Sequence, residues 1–182
     1  IERAIKKSCD ENGENYESVR YEGFGIEGVG LIVETLTDNR NRTAGDIRSV
    51  FSKHGGNLGE TGSVSFMFNH LGIVKFPKSA GNFDDIFEIA TDAGALDCDL
   101  IEDEYEISCS TDDLHQVAEN IEKKLSCDIT SQLTWKPSNQ IPLNKEKAIK
   151  VIEMIEVLED HDDVQEVFAN FDLPDEVLNE LQ

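Results

Sequence analysis

Arg40, Arg42, Arg48 and Lys53 are the side chains with the most to offer chemically. They fall within residues 37–56, where only Asp38 and Asp46 oppose them. The whole chain of 182 residues has 16 Lys and Arg against 38 Asp and Glu. A positive island in a protein of formal net charge -22 is a candidate contact for an anion. The spacing adds to the charge. Thr43 is a helix-capping residue type, with Asp46 three residues on in the position of a capping box. Ala44, Ile47, Val50 and Phe51 repeat at helical spacing. Gly55-Gly56 ends the run where a left-handed C-terminal cap is needed. On that reading Asn39-Arg40-Asn41-Arg42 is a loop feeding a helix N-terminus. Free backbone N–H groups, the positive end of the dipole and two arginines would meet a phosphate there. Arginines clamp phosphates or base edges, and Asn39 and Asn41 add hydrogen bonds. Arg48 continues the set along the helix. Lys53 and His54 close it, although Lys53 also offsets the helix dipole. Lys53 stands roughly 140° around the helix from Arg48, so those two form no stripe. The other reading of these residues is a solvated helix flank.

Other chemistry is sparse. Gly23-Phe24-Gly25-Ile26-Glu27-Gly28 matches G-x-G-x-x-G, but it leads into an apolar strand pattern rather than a helix, which fits a turn and not a dinucleotide site. Asn41-Arg42-Thr43 is formally a glycosylation sequon, with no secretory signal to give it meaning. Cys9, Cys98, Cys109 and Cys127 show no CxxC spacing and read as thiols in a reducing compartment. His54, His70, His115 and His161 form no metal-binding pattern, and no nucleophile elbow or phosphate loop appears. The carboxylate runs 97–106 and 156–163 lack the order of a calcium loop and read as solvated acidic faces. No cofactor, metal or catalytic residue is expected. Trp135 fits core packing or a domain-interface anchor. Phe66, Phe68 and Phe76 fit sheet core.

A hydrophobic fraction of 38% with regular punctuation argues for a folded chain, long enough for one or two domains. No apolar run approaches the roughly 18 residues that span a membrane, and no signal peptide opens the chain. A cytoplasmic protein is expected, or a mitochondrial-matrix one in a eukaryote. The acidity argues against nonspecific binding to nucleic acid, so any such contact must be local.

The elements that would position the cationic stretch follow from periodicity. Residues 1–8 read as the end of a helix and 10–17 as a linker. Strands are expected at 18–22, 29–36, 63–68 and 73–76, with a turn at 69–72. Helices follow from Phe83, Ile86, Phe87 and Ala90, and from Leu114, Val117, Ala118, Ile121 and Leu125. Short strands lie near 97–102, 105–110 and 128–135. Asn144 caps a long helix, a strand follows at 164–168 and a short helix at 175–181. Residues 71–136 thus read β-α-β-β-α-β, a ferredoxin-like unit. The flanks read β-β-α-β and α-β, and neither alone completes a layer of helices on a sheet. The expected fold is α+β: two ferredoxin-like α/β-sandwich modules, the second inserted into the first. The expected domains are 17–70 plus 138–182 and 71–137, with 1–16 a remnant of a preceding domain and its linker.

The string LTDNRNRTAGDIRSVFSKHGGNLGETGSVSFMF (Leu36–Phe68) resembles the signature of the YebC-type family, as do YEGFGIEGVGLIVETLTDN (Tyr21–Asn39) and LEDHDDVQEVFANFDLP (Leu158–Pro174). That family includes bacterial proteins labelled transcriptional regulators and the mitochondrial translational activator of cytochrome oxidase subunit I. Its pattern opens with a small basic helical bundle, begun by a motif like MAGHSKW, that these 182 residues do not include. The resemblance implies a middle domain interrupted by a third, both α+β. It also implies a non-enzymatic regulator that binds DNA, or ribosomal RNA on the ribosome, where it relieves stalling. Asn39, Arg40, Asn41, Arg42 and Arg48 match the family string; Lys53 and His54 are weaker candidates. Neither a membrane nor a small-molecule substrate is implied. The alternative is an acidic protein-interaction module with a basic partner such as a ribosomal protein. A hydrolase or metal-dependent enzyme built on the carboxylates is the third.

Overall fold

Short apolar runs broken by polar turns build two larger sheets, each with helices laid on it, and one small two-stranded sheet. The computed structural model describes residues 8–9 and 15–180. In chain order these form β1 (Ser8–Cys9), β2 (Asn15–Phe24), β3 (Gly30–Thr37), α1 (Arg40–Lys53), β4 (Asn57–Leu58), β5 (Phe68–Pro77), α2 (Phe83–Ala93), β6 (Asp97–Ile101), β7 (Glu104–Cys109), α3 (Leu114–Lys124), β8 (Thr130–Pro137), β9 (Ile141–Pro142), α4 (Lys145–Glu159), β10 (Val164–Ala169), β11 (Phe171–Asp172) and α5 (Asp175–Glu180). Helix and antiparallel sheet are mixed throughout, so the chain is α+β. It divides into two units, one of residues up to Asn69 and from Pro137 onward, the other His70–Lys136.

The first unit is built on the sheet order β1-β2-β3-β10, with β4 pairing β2. The hairpin β2–β3 runs in unbroken antiparallel register from Glu17 opposite Thr37 to Phe24 opposite Gly30. Val29, Leu31 and Val33 form one buried core with Ile47 and Phe51 of α1 and with Ala148, Val151, Met154 and Leu158 of α4. Fully burying each such side chain is worth about 1.5–3 kcal/mol. Gly23 lets α1 close on the sheet: a Cβ there would lie 2.5 Å from Phe51 Cε1 and 2.8 Å from the Asn57 carbonyl oxygen.

The second unit runs β5-α2-β6-β7-α3-β8, and its sheet order is β6-β7-β5-β8. Strand β7 is antiparallel to both β5 and β6. Ile86 and Ala90 of α2 and Val117 and Ile121 of α3 pack with Val74, Phe76 and Ile107 in one core. Asn82 caps α2, its Oδ1 accepting from Asp85 N at 3.0 Å. Gly94 ends that helix at φ 97°, a left-handed conformation that favours glycine.

Several expectations need correcting. The strand expected at 63–68 is a turn with a 3-10 segment, Ser65–Met67, and β5 begins at Phe68. The turn expected at 69–72 lies inside β5. Phe66, expected in the sheet core, is 76% exposed, whereas Phe68 and Phe76 are buried. The reason is the buried Glu22 carboxylate, which takes the N–H groups of Gly62, Val64 and Ser65 and coils the backbone away from strand pairing. Strand β2 starts at Asn15, three residues early. The helix expected over 1–8 lies outside the described residues except for Ser8, which is in a strand. Trp135 stacks on His70 within the second unit, ring centroids 4.0 Å apart and planes 1° from parallel.

Candidate functional site

Helix α1 starts one turn earlier than its sequence suggests. Its N-cap is Asn39, whose Oδ1 accepts from Arg42 N at 3.1 Å. Asn39 N in turn donates to Thr37 Oγ1 at 3.0 Å. Arg40, Asn41 and Arg42 therefore form the first helical turn, not a loop. Thr43, expected as the cap, is fully buried inside that turn. Its hydroxyl donates to Asp163 Oδ2 at 2.7 Å, and Thr37 Oγ1 lies 2.7 Å away. Asp46, expected to complete a capping box, faces His161 Nε2 at 3.0 Å.

Asp163 is the centre of this corner. It comes from the acidic run expected to be a solvated face, yet it is buried. Besides Thr43, its Oδ2 receives Arg42 Nη2 at 3.1 Å, and the same nitrogen reaches Asp38 Oδ1 at 2.9 Å. Burial works against the Asp163 charge, but the hydrogen bonds from Thr43 and Arg42 outweigh it and hold its carboxyl below the usual range. Hydrogen bonds to Asp163 and Asp38 push the Arg42 guanidinium up. Asp163 N donates to His161 Nδ1 at 3.1 Å, which leaves the imidazole proton on Nε2 for Asp46. Arg42 thus serves as an internal counterion, although half of its side chain is exposed.

A different face of the same helix is open. Arg40, Ala44 and Arg48 recur every four residues, and with Val19–Glu22 of β2 and Leu58–Thr61 they line a groove of about 480 Å³. Eight residues of helix set Arg40 and Arg48 roughly 12 Å apart along the axis. Both are exposed, and neither is ion-paired among the described residues. Tyr21 ties the helix to the strand, its hydroxyl donating to the Arg40 carbonyl at 3.3 Å. Burial pushes that hydroxyl's pKa up, with Arg40 and Arg48 opposing.

The far wall is fixed by Glu22. Its Oε2 accepts from Gly62 N at 2.8 Å, and its Oε1 from Val64 N at 3.2 Å and Ser65 N at 2.6 Å. Burial opposes the charge, but these bonds win and hold the Glu22 pKa below the usual range. Its Oε2 also lies 3.5 Å from Arg20 Nε. With the Glu22 charge so engaged, Glu60 is the exposed carboxylate among the groove residues, which also include Arg20, Arg40 and Arg48. Within this lining the arginines outnumber the carboxylates three to two.

Of the residues singled out from the sequence, the groove brings together Arg40 and Arg48. Arg42 points to Asp163, and Asn39 is occupied as the cap. Asn41 and Lys53 are exposed outside the groove lining. His54 turns back on its own helix, Nδ1 lying 2.8 Å from the Val50 carbonyl oxygen. Arg20 and Tyr21 were missed. Arg40 was expected in a loop, so its alignment with Ala44 and Arg48 follows from the earlier helix start, and that this line faces Arg20 and Tyr21 depends on how the hairpin packs. Among the described residues no three His, Cys, Asp or Glu side chains are grouped to hold a metal, and no helix is long and apolar enough to cross a membrane.

Comparison with known proteins places this geometry in context. Residues 16–171 match the model of the TACO1/YebC second and third domain. Among solved structures, the chain is similar to the conserved hypothetical protein Aq1575 from Aquifex aeolicus. The two are 41% identical with a TM-score of 0.80, over 93% of this chain and 70% of that one.

Proposed function

The chain belongs to the TACO1/YebC family, and from that premise we propose that it is a non-enzymatic regulator of gene expression that holds a nucleic-acid strand along the Arg40–Arg48 face of α1. The observation that carries the reading is a pair of exposed arginines with no carboxylate partner among the described residues, aligned on one helix face above a groove, in a protein of net charge -22. Cations so placed displace counterions from a polynucleotide, while the acidic remainder repels it elsewhere. The groove is walled by a strand and a short loop, which suits a single strand better than a helix free to enter a duplex groove. RNA is therefore favoured over DNA, and contact with ribosomal RNA that eases stalled translation is the cellular form of this reading. No cofactor or small-molecule substrate enters it. Residues 71–137 are read as a ferredoxin-like domain inserted into a second one, formed by 17–70 and 138–182. The sheet order β6-β7-β5-β8 supports the first of these.

The test is fluorescence anisotropy of a labelled single-stranded RNA against salt. Arg40→Ala with Arg48→Ala lowers affinity at least roughly tenfold and flattens the log–log salt slope by about 1.4, at about 0.7 for each phosphate that is no longer neutralised. Arg42→Ala leaves the slope unchanged. An unchanged slope in the double variant overturns the proposal, and tighter binding of duplex DNA in competition moves the target to DNA.

A further inference from the structure

The second unit carries a surface of opposite character. Residues 70–136 contain 15 Asp and Glu, 5 Lys and no Arg. Against that background two phenylalanines of α2 face solvent: Phe83 is 43% exposed and Phe87 50%. They are one helical turn apart, with ring centroids 6.0 Å from each other. Phe83 also lies 6.4 Å from the ring of buried Tyr105. Leu100, directly opposite Tyr105 in the β6–β7 register and 37% exposed, extends the patch. Tyr105 fixes the arrangement, its hydroxyl donating to the Gly81 carbonyl at 2.9 Å. The β6–β7 turn is held at the end of β5, where Lys78 N donates to the Asp103 carbonyl at 2.8 Å.

Carboxylates share these elements with the rings: Asp84, Asp85 and Glu88 on α2, and Glu102, Asp103 and Glu104 at the junction of β6 and β7. All six are exposed, and none is ion-paired among the described residues. Asp85 alone of them has a side-chain partner, Asn82 Nδ2 at 2.6 Å. Lys78 is the cation at this rim. An apolar partner would leave these charges uncompensated, and a nucleic acid or an anionic membrane would be repelled. A second copy of so acidic a chain is repelled as well. Exposed ring faces near exposed carboxylates suit a planar cation, which stacks on the ring and donates from its edge to a carboxylate.

We propose that the Phe83–Phe87 face of α2 is a docking surface for an arginine-rich protein segment. It is distinct from the Arg40–Arg48 groove and independent of what that groove holds. Guanidinium groups lie on the two rings, and the exposed carboxylates receive their N–H groups. Aliphatic stems of the segment cover Leu100.

The experiment compares fluorescein-labelled dodecapeptides of alternating Arg-Ala and Lys-Ala, titrated with the whole chain. The arginine peptide binds roughly tenfold tighter, because stacking on two rings adds to an equal charge attraction. Phe83→Ser with Phe87→Ser removes that preference and leaves the weak, salt-dependent binding shared by both peptides. Asp84→Asn with Glu88→Gln, which keeps the rings, lowers the salt dependence for both peptides but preserves the preference. Arg40→Ala with Arg48→Ala changes neither peptide, so failure of the groove leaves this result standing. Equal affinity for the two peptides in the unmodified chain overturns the proposal, as does a preference that survives loss of both rings.

Discussion

Arg40 and Arg42 occupy the same turn of α1, two residues apart, and lead to different surroundings. Beneath Arg42 lies a closed corner in which Asp38, Asp163, Thr37 and Thr43 satisfy one another. Beneath Arg40 lies a groove whose one buried carboxylate, Glu22, is taken by backbone N–H groups. A turn of about 200° around the helix separates the two side chains. The contrast teaches that a cation's role is set by the charges the fold delivers to it. Asp163 reaches Arg42 across 121 residues of sequence, and among the described residues nothing comparable reaches Arg40 or Arg48.

The sharpest way to break the comparison is Asp163→Ala. It removes the acceptor shared by Thr43 and Arg42 and leaves the buried Thr43 hydroxyl without its carboxylate. The expected loss is about 2–3 kcal/mol in urea unfolding. RNA affinity should follow only through stability, since the groove arginines are untouched. A loss below about 1 kcal/mol would mean that the corner does not anchor α1.

Acid should act on both regions at once. Asp163 and Glu22 each have a folded-state pKa below the usual carboxylate value, despite burial, because hydrogen bonds favour the charged form. Their contribution is fully present above the unfolded pKa of about 4 and is lost as pH falls through the folded values. Glu166 works the other way. Burial first, then Glu34 and Glu159, raises its pKa, so what it contributes is present at low pH and lost as pH rises through the raised value. The urea midpoint should therefore fall steeply below about pH 4. Asp163→Asn with Glu22→Gln should flatten that fall. A steep fall that persists in the double variant would assign the acid sensitivity to other carboxylates.

Arg42→Ala sharpens the comparison more gently. The side chain is half exposed, so water compensates much of what is removed. The expected midpoint shift is smaller than that of Asp163→Ala and of the same sign. A loss of RNA affinity beyond this shift, with a flatter salt slope, would show that Arg42 exchanges Asp163 for phosphate.

How far the sequence could be read follows from the same contrast. The start of α4 was legible because Asn144 acts locally, capping its own helix, as Asn82 and Gly94 do for α2. The start of α1 was not legible. Asn39 and Thr43 are both capping residue types one turn apart, and the choice is made by Asp163, which draws Thr43 inside. The same is true of 63–68, whose alternation suggests a strand. Glu22, 40 or more residues earlier, captures its N–H groups instead. For the candidate site, Arg40 and Arg48 could be named from charge, but not as one helix face, because Arg40 was expected in a loop. Arg20 and Tyr21 enter only because β2 packs beside α1, and no local signal marks them.

Lys53 is the smallest and cleanest probe of where the groove ends. It is exposed in the last turn of α1, beyond the groove lining and roughly 140° around from Arg48. Its one structural asset is its place beside the negative end of the helix dipole, an effect that salt screens. Lys53→Ala should leave both the RNA salt slope and the urea midpoint unchanged at moderate salt. A flatter slope would mean that the bound strand leaves the Arg40–Arg48 line and crosses the helix toward its C-terminus. The contact would then be the whole basic surface of α1, and the distinction between its two faces would hold for the Arg42 corner alone.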